Sequence, residues 1–438
     1  MGRAPYTALD RMRVPRTGAI VLALSTLAAA AIESGWSSAS DSGSGSWSSS
    51  SGSFDDSEPE SFFEHGDSWQ HTLLQAQGAL LLRAAEPLCQ PKITYAIGPE
   101  RWSFARIERD LGKSPATVKT MFRFTLRHMR RLLRALRFPP VMKIGHAGHQ
   151  HRCTGEEALC IMLRRLSYPS TLPVLAWEMG RSPTAISMIF QAAIDHIYED
   201  FGHLRDNRSL ECWGPQFPRF AHAIRRRGRR GRCPLLNCVG FVDGSVQRLD
   251  RPGRFQRILY NGHKKCHCVK WQGLTLPNGI MPLPFGPING RNNDAFMLDK
   301  SNLIRIMRRI CRRLGRVYCL YGDPAYPLSR WLMAPFKHRM LNGAEANFNT
   351  QMSKARIPNE WGFGKIKGLW AYLDFRKGMK PYQQDIQRLW PVATILTNCH
   401  TCCYGAQTGW YFDLEPPELE VYVSMGRGYR ARHQGRIY

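Results

Sequence analysis

The chain has 438 residues, 43% hydrophobic and 11% aromatic, which excludes global disorder and leaves enough apolar material for the cores of two or three domains. Its 61 Lys and Arg against 34 Asp and Glu give a net charge of +27, a field that points to a polyanionic partner, nucleic acid before a membrane surface. Eight of the acids fall in 33–67, where Lys and Arg are absent, so the rest of the chain is more basic still.

The apolar run 19–32, preceded by Arg3, Arg11, Arg13 and Arg16, has the outline of a signal peptide but is short for a bilayer span. No other segment reaches transmembrane length, and no membrane partner is expected. Residues 35–61 are Ser- and Gly-rich before turning acidic, so 1–68 reads as a disordered leader, with folded structure beginning near Trp69.

From 69 to 205 the apolar spacing predicts an all-helical domain. Leu159, Met162, Leu163 and Leu166 form one helical stripe, and Ile186, Ile189, Phe190, Ala193 and Ile197 form a second. Residues 172–194 have a helix-turn-helix layout, with Gly180 at the turn and Ser182 and Pro183 opening the second helix. The segment 111–122 repeats the Gly, Ser, Pro and Phe positions of 179–190. Two readings stay open: the second helix reads DNA, or Gly-x-Ser-Pro caps two helices of a bundle.

Residues 206–236 read as a basic linker. Arg225, Arg226, Arg227, Arg229 and Arg230 in RRRGRRGR are candidates for phosphate contact or nuclear targeting, or form a solvated loop. Beyond it, strands are predicted at 238–242, 267–276, 280–288 and 317–322. Between the last two lies a helix with Leu303, Ile304, Met307, Ile310, Cys311 and Leu314 on its apolar face and Arg305, Arg308, Arg309, Arg312 and Arg316 opposite. Strands interleaved with helices predict an α/β mixed sheet with flanking helices over 237–415, followed by a basic tail at 416–438.

Thirteen scattered cysteines, an odd number, fit a reducing compartment. The nucleus is therefore the expected location, with secretion the alternative if the apolar run is a true signal peptide. His146, His149, His151 and Cys153 lack the spacing of a closed zinc site.

Acids are scarce in the basic half, so each position is informative. Asp243 and Asp323 each close an apolar strand run, which can set two carboxylates side by side on one sheet edge. Glu360 lies beyond Pro358, a residue suited to a first helical turn, with Phe363, Ile366, Trp370 and Leu373 on the buried face and Gly364 and Lys367 on Glu360's own stripe. Three carboxylates can hold a hard cation, Mg²⁺ or Mn²⁺, and Lys367 can touch a phosphate. Turn and helix-start roles for the same acids are the structural alternative. Asp294 is expected to cap the following helix, with an outer-shell metal role as the alternative. His263 and His267 could contact phosphate or pack within strands.

The segments GFVDGS (240–245), YNGHKKCHCVKWQGLTLPNGI (260–280), GPINGRNNDAFML (286–298), YGDPAYP (321–327) and FNTQMSKARIPNEWGFGKIKGLW (348–370) resemble the nuclease domain of PIF/Harbinger-type transposases. Upstream, 122–138 and 154–190 resemble the helical region that precedes that nuclease. The resemblance covers roughly 120 to 415 in order. It implies a ribonuclease-H-like fold and a metal-binding Asp-Asp-Glu triad at Asp243, Asp323 and Glu360. It also implies DNA partners, namely element ends and target, a Myb-like DNA-binding partner protein, and homo-oligomers. Three functions follow as expectations: a metal-dependent DNA endonuclease and transposase, a domesticated DNA-binding derivative, or an RNA-binding or scaffolding protein using the Arg-Gly-rich tail 426–436.

Overall fold

The computed structural model describes residues 96–145, 151–227, 233–282, 284–381 and 383–427. The expected leader, the first part of the expected helical domain, His146, His149, Arg229, Arg230 and the end of the basic tail lie outside the described residues.

The described chain opens with three short helices, α1 (Phe104–Leu111), α2 (Pro115–Phe122) and α3 (Leu126–Ala135). Ser103 and Ser114 cap the first two, each side chain accepting a backbone N–H three residues on. The region predicted as all-helical is then interrupted by an antiparallel pair, β1 (Val141–Ile144) and β2 (His151–Thr154). In β1 burial alternates, with Met142 and Ile144 inward, a period-2 pattern too short to stand out among helical stripes. Thr154 caps α4 (Gly155–Ser167); α5 (Leu172–Met179) ends at Gly180 with φ 63°, and Ser182 caps α6 (Pro183–Asp200). The left-handed turn is one that glycine adopts without a Cβ penalty.

The second helix of this pair, α6, bears neither Lys nor Arg, and only Thr184, Glu199 and Asp200 on it are exposed. A buried helix ending in acids is poorly suited to a DNA groove, so the geometry supports the bundle reading of the two units. Within the stretch expected as a linker, Asn207–Gln216 forms a 3-10 helix, and α7 (Phe217–Arg227) buries Phe217, Phe220, Ala223 and Ile224. Its apolar stripe is interleaved with the arginines that suggested a loop.

The sheet is built from β3 (Cys238–Arg248), β4 (Tyr260–Asn261), β5 (Cys266–Thr275), β6 (Phe285–Asn289), β7 (Cys319–Tyr321) and β8 (Leu332–Met333). β3 pairs antiparallel with β5 and parallel with β7, β7 pairs parallel with β8, and β4 and β6 line the other edge of β5. The expected strand at 280–288 is confined to β6. Around the sheet pack α8 (Asp294–Lys300), α9 (Leu303–Leu314), α10 (Gly343–Leu369), α11 (Ile386–Tyr404), α12 (Gln407–Phe412) and α13 (Leu419–Ser424). α13 lies in the expected tail and buries Leu419, Tyr422 and Val423.

The described residues fall in one compact unit, with α11 as its shared core. Trp390 on α11 stacks on Trp271 of β5 at 5.8 Å, and the Trp271 indole donates to the buried Gln247 Oε1 at 2.8 Å. Toward the N-terminal helices, the Tyr404 hydroxyl accepts from Thr125 N, and Arg123 Nε donates to the Leu369 carbonyl, both at 2.9 Å. Among the described residues no helix is long and apolar enough to cross a membrane.

His400 makes this junction acid-sensitive. Its ring lies 5.5 Å from that of Phe124 and 4.6 Å from that of Tyr404, and Nδ1 is buried without a hydrogen-bond partner. Burial first, and then the charges of Lys365, Lys119 and Arg123, push its pKa from 6.5 down to about 3. The unfolded chain binds this proton more readily, so stability is full above about pH 6.5 and is lost as the pH falls toward 3. At pH 5 the loss from this one group is about 2 kcal/mol. His400→Phe keeps an aromatic ring and should therefore lose less stability than wild type between pH 7 and pH 5 in chemical denaturation. Parallel losses in the two proteins would remove His400 from the acid response.

Candidate active site

Sheet register brings the two aspartates together. In the parallel β3–β7 pair Phe241 lies opposite Tyr321, so Asp243 and Asp323, each two residues further on, leave the same face of adjacent strands. Asp243 is mid-strand rather than at a strand end, because β3 continues to Arg248. Asp323 sits just past β7, as predicted.

Each carboxylate is divided between two tasks. Asp243 Oδ1 accepts from Gly244 N at 2.8 Å and Asp323 Oδ1 from Ala325 N at 2.7 Å. The two Oδ2 atoms converge on the Arg356 guanidinium, at 3.2 and 3.7 Å. Burial raises the Asp243 pKa above the ordinary carboxylate range, and the charge of Asp323 adds to it, while Arg356 and the Gly244 N–H oppose the rise.

Arg356 and Glu360 both come from α10. This helix starts at Asn342, where a capping box with Glu345 closes its first turn, and it runs 27 residues through Pro358. The expected start at Pro358 is thus corrected. A mid-helix proline costs about 3 kcal/mol, and the buried face on both sides of it, Met352, Ala355, Phe363 and Ile366, offsets that cost. α10 crosses the sheet at Gly273, the register partner of Asp243, where a Cβ would lie 2.5 Å from the Phe363 ring. Only glycine lets the helix approach this closely.

Glu360 is exposed and lines a cleft of about 330 Å³ with Met281, Trp361, Lys365 and Gln407. Among the described residues no three His, Cys, Asp or Glu side chains gather closely enough to hold a metal ion. The structure therefore joins Asp243 to Asp323 through Arg356 and does not gather Glu360 with them. The two converging Oδ2 atoms are hard donors already holding a cationic side chain, so the pair fits a hard divalent cation. Cys153, in the cluster that lacks the spacing of a closed zinc site, is a buried thiol whose pKa burial raises to about 11.

A third acid lies nearer. Asp294 is salt-bridged to Lys270 Nζ at 3.1 Å, and a Cβ on Gly244 would come within 3.1 Å of Asp294 Oδ1. Asn293, not Asp294, caps α8. Burial, and then the charges of Asp294, Asp243 and Asp323, hold the Tyr326 phenol well above its ordinary pKa. Sequence reasoning missed Arg356, Lys270 and Tyr326. For Arg356 a signal existed, since it stands one helical turn before Glu360 on the same side of the helix.

The remaining predicted residues are spread over the surface. Arg305, Arg308, Arg309 and Arg312 are exposed on α9, Arg309 and Arg313 pairing with Glu211 at 2.7 and 2.8 Å. Arg225, Arg226 and Arg227 are exposed at the end of α7, with Arg226 3.2 Å from Asp413. Lys367 donates to the Val246 carbonyl at 3.2 Å and lies 3.8 Å from Asp374, which ties it to β3. His263 is exposed, and His267 packs edge-on against Tyr260 at 5.4 Å.

Residues 242–398, a span that contains all three predicted catalytic acids, match the family model of the DDE superfamily endonuclease. The resemblance to a transposase-type nuclease is borne out at this level. Protein ALP1-like of Arabidopsis thaliana is 21% identical to this chain over 256 residues, covering 55% of the chain and 59% of that protein. The chain thus spans less than two thirds of that relative's length. No solved structure matches.

Proposed function

We propose that this protein is a divalent-cation-dependent DNA endonuclease of the transposase type, acting in the nucleus on element ends and target DNA. The observation that carries the reading is the pair of carboxylates on adjacent parallel strands, each with one oxygen fixed by a backbone N–H and the other offered to a cation. An antiparallel meander extended by two parallel strands and flanked by helices supports the ribonuclease-H-like fold. Asp243 and Asp323 would hold Mg²⁺ or Mn²⁺; Glu360, which the family resemblance implies as the third ligand, is not gathered with them. When bound, such a cation supplies Lewis acidity toward the phosphoryl oxygens. Water attacks phosphorus, the bond from phosphorus to the 3′ oxygen breaks, and the released 3′-hydroxyl can attack a target phosphodiester in turn. Cleavage of labelled DNA bearing the element's ends, in the presence of Mn²⁺, tests the reading. Failure to cut, with a Myb-like partner supplied, would reject it.

A second reading, a DNA-binding protein that keeps the fold without cutting, draws on Arg356 occupying the space between the aspartates. Both readings require an electrostatic surface. If Arg305, Arg308 and Arg312 each neutralise one phosphate, replacing all three with Ala should lower the slope of log affinity against log salt by about three. Fluorescence anisotropy over a salt series measures this, and an unchanged slope would take α9 out of the interface.

A further inference from the structure

We infer that Arg356 is a built-in competitor for the cation site, a side chain that closes the Asp243–Asp323 pair and must leave before a divalent cation enters. The inference rests on the cation-site reading above. Arg356 reaches both Oδ2 atoms, which are the oxygens the backbone leaves over, since Gly244 N and Ala325 N take the two Oδ1 atoms. A cation binding the same two Oδ2 atoms therefore competes with the guanidinium directly. Among the described residues no other ion pair or hydrogen bond holds the guanidinium: Nε is buried without a hydrogen-bond partner, and the side chain is 20% exposed, which gives it a way out toward solvent. Without Arg356 two carboxylates on adjacent strands would face each other with no intervening positive charge, so the arginine stabilises the metal-free protein at the expense of metal affinity.

The test is Mn²⁺ binding to the full chain without DNA, followed by titration calorimetry and by the loss of the free-ion resonance signal. Arg356→Gln keeps the length and removes the charge. It should bind Mn²⁺ about tenfold more tightly than wild type, because the competing charge-assisted hydrogen bond to Asp243 and the ion pair to Asp323 are gone. Its melting temperature should be lower than wild type without the metal and rise further on adding it. Arg356→Lys, a point charge that cannot bridge both carboxylates, should also bind more tightly than wild type and serves if the glutamine variant does not fold. Affinity in both variants equal to or below wild type would overturn the inference while leaving the cation site intact. Absence of Mn²⁺ binding in wild type and variants alike, or binding unchanged by Asp243→Asn, would overturn both.

Discussion

Asp243→Asn should reduce metal-dependent DNA cleavage by more than about 100-fold, since losing even an outer partner of a metal ligand commonly costs 10–100-fold. The fold should survive. The amide keeps the side chain's shape and can still accept the Gly244 N–H through Oδ1. In the wild-type protein the Asp243 pKa is raised, chiefly by burial, which means that folding disfavours the ionised form at this position. Removing the charge therefore sacrifices little stability, whereas it removes one of the two oxygens offered to a cation. Asp323→Asn should lose cleavage in the same way. The measurement is cleavage of labelled end-bearing DNA by wild type and variants in parallel, with melting curves to establish folding. Equal rates for wild type and Asp243→Asn would assign the activity to a contaminating nuclease and remove Asp243 from the site.

Arg181→Ala should destabilise the folded chain by about 3–5 kcal/mol, the range for breaking a buried ion pair from one side. Arg181 sits in the turn between α5 and α6, where a DNA-reading unit could place a phosphate contact. Instead its guanidinium points inward, with Nε 2.6 Å and Nη2 2.8 Å from the two carboxylate oxygens of Glu157, and Nη2 also donates to the Arg152 carbonyl at 2.7 Å. The side chains are 9% and 4% exposed, so truncating the arginine strands a buried carboxylate with no counter-charge. Replacing both residues together, Arg181→Met with Glu157→Leu, should recover much of the loss because no charge is then left unpaired. Urea denaturation of the three proteins decides the point. A single variant within 1 kcal/mol of wild type would show that solvent reaches Glu157 and that the pair does not hold α4 to the turn.

Much of this molecule was legible in its residues because the relevant signals are local. Ser-Pro helix starts, Gly180 at a left-handed turn, and the alternation of apolar and arginine faces over 303–314 each depend on neighbours within a turn or two. The apolar runs ending in Asp243 and Asp323 marked two acids in a chain otherwise crowded with cations, and they do become neighbours. What local pattern could not supply was anything set by pairing or packing across the fold. Composition concealed α7, whose core residues alternate with arginines. Local rules also placed a helix start at Pro358, because the cost of an internal proline is visible in the sequence and the burial that offsets it is not.

The pairing of acids shows the same division. Scarcity of carboxylates in a basic chain, a property of the sequence by itself, determined which residues were candidates. Tertiary structure alone decided which of them meet. The parallel register of β3 and β7 sets Asp243 beside Asp323, and the contact of Phe363 with Gly273 fixes where α10 crosses the sheet. That crossing, not the spacing of acids along the chain, puts Arg356 between the carboxylates. Two opposite charges separated by more than a hundred residues find each other only when the strands and the helix that carry them are packed, and once packed, the low local dielectric makes their attraction strong enough to select that arrangement.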